Sequence, residues 1–176
     1  DTTYAMPVVT VVDGVRQLVV AAGDGAVHGL EARTGRRLWS FKLSKRGINS
    51  SVVTWKNYAF VTHSEENLDT TKMGRVVCID MTGRGDITNT GEVWRLDAFA
   101  AGYASPSIAN GRLYVVDNSS LMVCLDAATG KKHWEYEVGR IQKGSPLVTA
   151  DGVIYVGTVN GIFKIIRDVG DKAELL

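Results

Sequence analysis

The sequence predicts an all-β fold, a β-propeller built of four-stranded antiparallel blades, of which about four are present. Similar stretches return at intervals of about forty residues, and each stretch contains four short apolar or alternating runs bounded by turn residues. No stretch shows apolar residues at the spacing of an amphipathic helix over several turns. Four-stranded antiparallel sheets repeated at this interval are the sequence form of a β-propeller.

The repeat is clearest in the second half of the chain. Residues 105–139, which begin SPSIANGRLYVV, return as residues 145–176, which begin SPLVTADGVIYV. Residues 6–43 carry the same order of features. The length, less fifteen extra residues in the second copy, is four such periods, so we expect four blades and little else. The final run, KAELL, fits an outer strand that is cut short, as if the boundary fell within a blade.

The second copy is longer than the others. Trp39 and Trp94 are 55 positions apart, whereas Trp94 and Trp134 are 40 positions apart. We assign the fifteen extra residues to two insertions, at about 63–74 and 84–91. The blades of this single propeller segment are predicted at about 5–43, 49–97, 104–139 and 144–176.

The four runs of the third copy read SPSIA, RLYVVD, LMVCLD and KHWEYEV. The last run alternates, with Trp134, Tyr136 and Val138 on one face, which is typical of a half-exposed outer strand. The two central runs are apolar almost throughout, as expected for strands that are covered on both faces by neighbouring sheets.

The turn before the outer strand has the form Asp-Ala-x-Thr-Gly-Lys-x-x-Trp at 126–134, and a related form at 31–39. A glycine in this turn is predicted to supply a positive φ. The three glycines are Gly35, Gly83 and Gly130. The tryptophan is predicted to dock one blade against the next, with its indole N–H bonded to a turn carbonyl of the next blade. The three docking tryptophans are Trp39, Trp94 and Trp134.

The stretches LDAATGKKHWEYEVG and EARTGRRLWSFKL resemble the tryptophan-docking repeats of the pyrroloquinoline-quinone-like, or quinoprotein-type, β-propellers. That family includes quinone-dependent dehydrogenases, the propeller lipoprotein of the bacterial outer-membrane assembly machinery, and many uncharacterised secreted bacterial proteins. The longer second copy is most similar to the last group. The resemblance implies a periplasmic or otherwise extracytoplasmic location, and a ring of about seven or eight blades of which this segment is part.

Composition excludes several classes of function. The chain has 176 residues, 45% hydrophobic and 22% charged, and a formal net charge of +1, so it carries no basic field for nucleic acid. No run approaches the length of about 18 apolar residues that spans a bilayer. The start, DTTYAMPVVT, shows no signal peptide. We therefore expect neither nucleic acid nor a membrane span.

The first insertion offers the only candidate metal ligands. Glu65, Glu66 and Asp69 could supply hard oxygen atoms for calcium, but their spacing does not match an EF-hand, and a charged solvated loop is the alternative. The second insertion contains the triplet Arg84-Gly85-Asp86, which we interpret as a chance match in a polar turn.

A quinone-dependent dehydrogenase of this family is expected to carry an adjacent cysteine pair, a calcium site and a catalytic aspartate. Here Cys78 and Cys124 occupy equivalent places in successive copies, about 10 Å apart at the sheet spacing, and are predicted to be free buried thiols. The histidines form no catalytic constellation. No catalytic or cofactor-binding residue is predicted.

The first functional hypothesis is a non-catalytic scaffold for protein interaction or assembly, whose partners are other propeller blades or another protein. The alternative is part of a pyrroloquinoline-quinone-dependent alcohol or sugar dehydrogenase, and pyrroloquinoline quinone and calcium are expected only under this alternative. Four blades of a larger ring would leave two open apolar faces, so the isolated segment is expected to self-associate.

Overall fold

A computed structural model of the chain describes residues 2–176 and confirms the all-β propeller architecture. Its strands form four sheets, called blades 1 to 4 in chain order. Blade 1 contains β1 (Val8–Val12), β2 (Val15–Ala21), β3 (Ala26–Glu31) and β4 (Arg37–Lys42). Blade 2 contains β5 (Val53–Trp55), β6 (Tyr58–Glu66), β7 (Met73–Asp80) and β9 (Glu92–Asp97), while β8 (Gly85–Asp86) joins blade 1. Blade 3 contains β10 (Ser107–Ala109), β11 (Arg112–Val116), β12 (Leu121–Asp126) and β13 (Lys132–Glu137). Blade 4 contains β14 (Leu147–Val148), β15 (Val153–Gly157), β16 (Phe163–Asp168) and β17 (Ala173–Leu175).

The four main strands of each blade are antiparallel neighbours in chain order, so the loops fall at two ends. The hairpin between the second and third strands lies at the same end as the connector to the next blade, which we call the connector end. The other two hairpins lie at the opposite end, the turn end. None of the residues from 2 to 176 belongs to a helix that could cross a membrane.

The tight hairpins at the turn end follow from their sequences. Asp13 and Gly14 adopt φ values of 47° and 77°, and Asn110 and Gly111 adopt 52° and 74°. Two successive positive φ angles define the turn whose twist matches that of antiparallel strands, and Asp-Gly and Asn-Gly adopt it readily. Each pair therefore closes a two-residue hairpin between the first and second strands of its blade.

The core consists of three clusters, one between each pair of consecutive blades. Successive residues of a central strand contribute to different clusters. In β11, Leu113 and Val115 pack in the cluster between blades 2 and 3, whereas Tyr114 and Val116 pack in the cluster between blades 3 and 4. This arrangement explains why the central runs are apolar throughout.

A row of hydrogen bonds links the segments that lead into the first strands of the four blades. The backbone N–H of Met6 donates to Ser51 Oγ at 2.9 Å, that of Ser51 to Ser105 Oγ at 2.8 Å, and that of Ser105 to Ser145 Oγ at 2.9 Å. Each serine accepts from the preceding blade. The recurring serines therefore hold the blades in register.

The outward faces of blades 1 and 4 expose apolar side chains. Val9 and Val11 on β1 are 59% and 55% exposed, and Leu147 and Phe163 in blade 4 are both 64% exposed. We call these two surfaces the open faces.

The predicted positive φ at Gly83 is wrong, whereas Gly35 and Gly130 adopt φ values of 73° and 72°. The second insertion lengthens the turn of blade 2 and moves the positive φ to Gly85, at 74°. The glycine at position 83 instead lets Ile87 pack closely against the backbone, because a Cβ atom there would lie 2.7 Å from Ile87 Cγ2.

Candidate functional site

The first insertion of blade 2 is an extension of the β6–β7 hairpin, and its strands are longer than their counterparts in the other blades. His63 pairs with Arg75, and Glu66 pairs with Met73 across a register shift. Half of the insertion is therefore β structure, and residues 67–72 form its tip.

The hairpin tip lies on the connector between blades 1 and 2. Ser44 and Asn67 form an antiparallel bridge, and the backbone N–H of Lys45 donates to Glu66 O at 3.0 Å. The Glu66 carboxylate lies 3.6 Å from Arg46 Nε. The acidic tip is thus bound to a basic connector of its own chain.

A network of ion pairs holds the tip against the outer strand. Arg75, whose side chain is only 5% exposed, donates from Nη2 to Asp69 and from Nε to Asp97, both at 2.6 Å. Arg95 Nη1 donates to the other Asp69 oxygen at 2.7 Å. The hydrogen bond from Arg75 is the main reason why the pKa of Asp69 lies below its usual value. The tip therefore has one well-defined position.

The three candidate calcium ligands do not fit a calcium ion. Both oxygens of Asp69 accept hydrogen bonds from arginines. The Glu66 carboxylate faces Arg46 and does not converge with the Glu65 carboxylate on a common point. Across residues 2–176 no group of three or more His, Cys, Asp or Glu side chains is arranged to hold a metal.

The second insertion adds a strand to the outer edge of blade 1. Gly85 and Asp86 pair with β4 in parallel, opposite Trp39 and Ser40, and the N–H of Ile87 donates to Ser40 O at 2.9 Å. Ile87 is 3% exposed and belongs to the core cluster between blades 1 and 2. Sequence reasoning missed this contact, although a lone isoleucine in the polar stretch RGDITNTG is a signal that could have indicated it.

The two insertions and the adjoining outer strands enclose a cavity of about 200 Å³. Its lining residues are Phe41, Lys42, Leu68, Asp69, Arg75, Thr88, Asn89, Glu92 and Arg95. Leu68, which lines the cavity, is 42% exposed, and Met73, at the start of β7, is 48% exposed. We call the surface formed by residues 65–73 and 84–90 the decorated rim. It combines exposed apolar side chains with fixed charges on a rigid support.

The indoles of Trp94 and Trp134 both reach into the next blade. Trp94 Nε1 donates to Ala127 O at 3.0 Å, and its ring lies over Gly130, where a Cβ atom would meet the ring at 2.7 Å. Trp134 Nε1 donates to a carboxylate oxygen of Asp168 at 3.1 Å instead of a backbone carbonyl.

The predicted partner of Trp39 is wrong. Its Nε1 donates to Gln17 Oε1 at 2.8 Å within its own blade, and its ring packs over Gly29 on the adjacent strand. Gly83 in blade 2 corresponds to Gly130 in blade 3. Ile87 packs against Gly83, whereas the Trp94 ring packs against Gly130. The second insertion thus replaces tryptophan docking at the junction of blades 1 and 2.

A buried carboxylate joins blades 3 and 4. Asp168, with a side chain 5% exposed, accepts hydrogen bonds from Arg112 Nη1 at 3.0 Å, Tyr114 OH at 2.7 Å and Trp134 Nε1. Burial alone raises the pKa of Asp168, but the hydrogen bonds from Gly170 N–H and the two aromatic side chains, together with the Arg112 charge, bring it below its usual value. Sequence reasoning missed this network.

Cys78 and Cys124 are free and buried, as predicted. Burial is the main cause that raises the pKa of each thiol to about 12. Neither cysteine is therefore a reactive thiolate near neutral pH.

His63 lies buried beneath the extended hairpin. Its Nδ1 accepts from the N–H of Glu65 at 3.2 Å, and its Nε2 has no hydrogen-bond partner among the described residues. Burial first, and then the neighbouring Arg75 charge, lower the pKa of His63 to about 4. The hairpin thus contains a neutral imidazole.

Lowering the pH from 7 to 5 is expected to remove about 2 kcal/mol of folding free energy through His63 alone. The folded pKa of about 4 lies below the ordinary value of 6.5, so the unfolded chain takes up the proton first. The contribution is complete above pH 6.5 and is lost as the pH falls toward 4. Urea unfolding at the two pH values measures it, and His63→Gln removes this part of the pH dependence. His133→Gln, at a partly exposed position, is the control; equal pH dependence in wild type and His63→Gln contradicts the prediction.

Comparison with protein families gives one match over more than half of the chain. The family model described as outer membrane protein assembly factor BamB matches residues 72–172. Among solved structures, BamB from Moraxella catarrhalis superposes with a TM-score of 0.71 at 19% identity, over 99% of this chain and 48% of that one. At this identity the superposition establishes the fold alone.

Curated relatives of similar identity carry different names. The serine/threonine-protein kinase AfsK of Streptomyces griseus is 25% identical over 149 residues, 80% of this chain and 17% of its own length. The quinohemoprotein alcohol dehydrogenase of Comamonas testosteroni is 26% identical over 155 residues, 88% of this chain and 15% of its own length. BamB of Moranella endobia is 25% identical over 157 residues, 88% of this chain and 38% of its own length. The chain thus spans less than two fifths of each relative.

Proposed function

Because the chain belongs to the family of the outer membrane protein assembly factor BamB, we propose that it is a non-catalytic propeller that serves as a protein-interaction or assembly scaffold outside the cytoplasm. The name of the Moranella endobia relative, an assembly factor of the outer membrane, supports both the role and the location.

The decorated rim is the observation that carries the proposal. Surfaces mounted on a rigid scaffold are where binding residues concentrate. Here the hairpin tip is held by Arg75 and Arg95, and the second insertion is held by Ile87 in the core. A preorganised surface loses little conformational entropy on binding, which favours association with a partner protein.

Other propeller blades are the second class of partner that we propose. The open faces expose Val9 and Val11 at one end and Leu147 and Phe163 at the other. Apolar surface of this kind is covered in a complete propeller by the next blade. Further blades or a second copy of the chain would supply that cover, and self-association of the segment is part of this proposal.

Replacing Leu68 and Met73 by Glu is expected to reduce retention of a native partner at least about tenfold, because apolar anchors dominate protein interfaces. The measurement is quantitative mass spectrometry of proteins retained by the immobilised chain from an envelope extract of the source cells. Val169→Glu is the matched control, since Val169 is 41% exposed against 42% for Leu68 and lies at the turn end of blade 4. Equal loss in both variants, or no partner retained by the wild type, contradicts the assignment of the rim.

The alternative remains part of a quinone-dependent alcohol or sugar dehydrogenase, supported by the similarity to the Comamonas testosteroni enzyme. In such an enzyme, bound pyrroloquinoline quinone would accept the electrons of the alcohol, and calcium would act as a Lewis acid. The acidic residues of the hairpin do not fit the calcium, since arginines occupy both oxygens of Asp69 and one oxygen of Glu66. Titration with pyrroloquinoline quinone and calcium separates the two functions: a saturable spectral change and thermal shift support the dehydrogenase, and their absence at high cofactor concentration excludes it for this chain.

A further inference from the structure

An acidic segment of the chain is bound to one of the chain's own connectors. Within residues 65–69, with the sequence EENLD, Glu66 and Asn67 contact the connector between blades 1 and 2, and Asp69 is held by arginines of blade 2. A backbone bond from Lys45 to Glu66 and the ion pair of Arg46 with Glu66 hold them there. A connector of this fold is therefore able to bind an extended acidic segment.

The connector between blades 3 and 4 begins in the same way. Leu43 and Val138 are both fully buried, and each donates its backbone N–H to the hairpin at the connector end of its own blade, to Gly25 O at 3.0 Å and to Ser120 O at 2.9 Å. These two residues are structurally equivalent. Two positions further on, Arg140 occupies the place of Lys45.

The binding position on this second connector is open. Arg140 is exposed, and neither its backbone N–H nor its guanidinium forms a hydrogen bond or ion pair with the described residues 2–176. The hairpin of blade 4 is short and contacts the connector through two hydrogen bonds, from Val159 N–H to Ile141 O at 3.3 Å and from Gln142 Nε2 to Gly157 O at 3.0 Å, neither of which involves Arg140. It provides no counterpart of the acidic tip that covers Lys45.

A groove of about 380 Å³ runs beside this connector, between blades 3 and 4. Its lining residues are Glu137, Gly139, Arg140, Asn160, Ile162 and Lys164. Two of them are cations and one is an anion. Lys164 is held in place, because its Nζ donates to Glu137 O at 3.3 Å and lies 5.1 Å from the centre of the Tyr136 ring.

Apolar side chains continue the groove at the connector end. Ile162, Val159 and Ile141 are 44%, 54% and 56% exposed. Both neighbouring blades are present at this junction, so their exposure does not arise from an open face. Lys143 adds a third positive charge beside the exposed Tyr103 ring, at 5.1 Å from its centre.

We propose that this groove binds an extended acidic segment of a partner protein in trans, in the manner in which residues 65–69 bind the equivalent connector in cis. The inference rests on the proposed scaffold function and specifies a partner chemistry: carboxylates on either side of a large apolar residue. Carboxylates pair with Arg140 and Lys164, the apolar residue packs on Ile162, and the free backbone N–H of Arg140 donates to a backbone carbonyl of the segment.

The test uses the chain's own acidic segment as the probe. A labelled, end-capped peptide with the sequence SEENLDT, residues 64–70, is titrated into the full chain and binding is followed by fluorescence anisotropy. Saturable binding is expected, and it weakens as salt is raised. The double variant Arg140→Glu/Lys164→Glu is expected to weaken this binding at least about tenfold, because the groove then presents negative charges to the carboxylates of the peptide. Lys131→Glu, at the turn end of blade 3, leaves it unchanged.

Three results overturn the proposal. The first is equal binding of a peptide in which the three acidic residues are replaced by lysine. The second is binding that survives the double variant but is lost in Arg46→Glu, since the peptide then displaces the intrinsic hairpin instead. The third is no binding of the peptide while anionic lipid vesicles bind, which indicates a lipid surface as the occupant. Partner retention through Leu68 and Met73 is unaffected by any of these, so failure here and failure of the scaffold function are separate outcomes.

Discussion

Replacement of Asp168 by Ala is expected to lower the free energy of unfolding by about 3–5 kcal/mol, the largest effect of any polar substitution considered for this chain. The carboxylate is almost fully enclosed and accepts from Arg112, Tyr114 and Trp134. Its removal leaves a guanidinium without its counter-charge and two aromatic donors without an acceptor. Because the donors belong to blade 3 and the acceptor to blade 4, the junction of the two blades is weakened directly.

Urea unfolding of the full chain, followed by circular dichroism, measures this loss. Asp168→Asn keeps the shape and one acceptor oxygen, so we expect an intermediate cost of about 2 kcal/mol. Asp126→Ala is the matched control, since Asp126 holds the equivalent position in the repeat but serves only its own turn, through Ala128 and Thr129. Its cost is expected to be about 1 kcal/mol. Equal costs for the two alanine variants contradict a special role for Asp168.

Trp39→Ala is expected to cost about 3–5 kcal/mol, and Trp94→Ala about half as much. Trp39 is fully buried, and its removal opens a cavity above Gly29 and leaves Gln17 Oε1 without its donor. Trp94 is partly exposed and keeps some contact with water. The difference arises from the second insertion, which covers Trp39 through β8 and Ile87.

The same unfolding measurement compares the two tryptophan variants, with circular dichroism as the signal because fluorescence itself changes. Ile87→Ala tests the cause: it is expected to cost about 2–4 kcal/mol through loss of a buried side chain. If Trp94→Ala costs as much as Trp39→Ala, the two tryptophans have equal structural roles and our account of the insertion is wrong.

Several features of the fold were predictable because they depend on neighbours close in sequence. The Asp-Gly and Asn-Gly hairpins, the positive φ of Gly35 and Gly130, and the apolar central strands all follow from short-range backbone preferences and side-chain alternation. The failure at Gly83 has the same origin, since the insertion changed the length of its turn.

The candidate site was less predictable. The acidic stretch of residues 65–69 was found, but two of its three carboxylates, those of Glu66 and Asp69, face Arg46, Arg75 and Arg95. Charge and spacing identify which residues are able to bind something, whereas the choice between an ion and an arginine depends on what lies opposite in space.

The sequence by itself determined the repeat, the all-β class and the decoration of blade 2, because a period of about forty residues and its interruptions are visible without coordinates. Only the tertiary structure decided where the decoration lies and how each junction is made. Trp39, Trp94 and Trp134 occupy one repeat position, yet they donate to an amide of the same blade, a backbone carbonyl and a carboxylate of the next blade. The physical reason is that a hydrogen-bond partner is selected by distance and burial in three dimensions, and these partners lie 22 to 34 residues away along the chain.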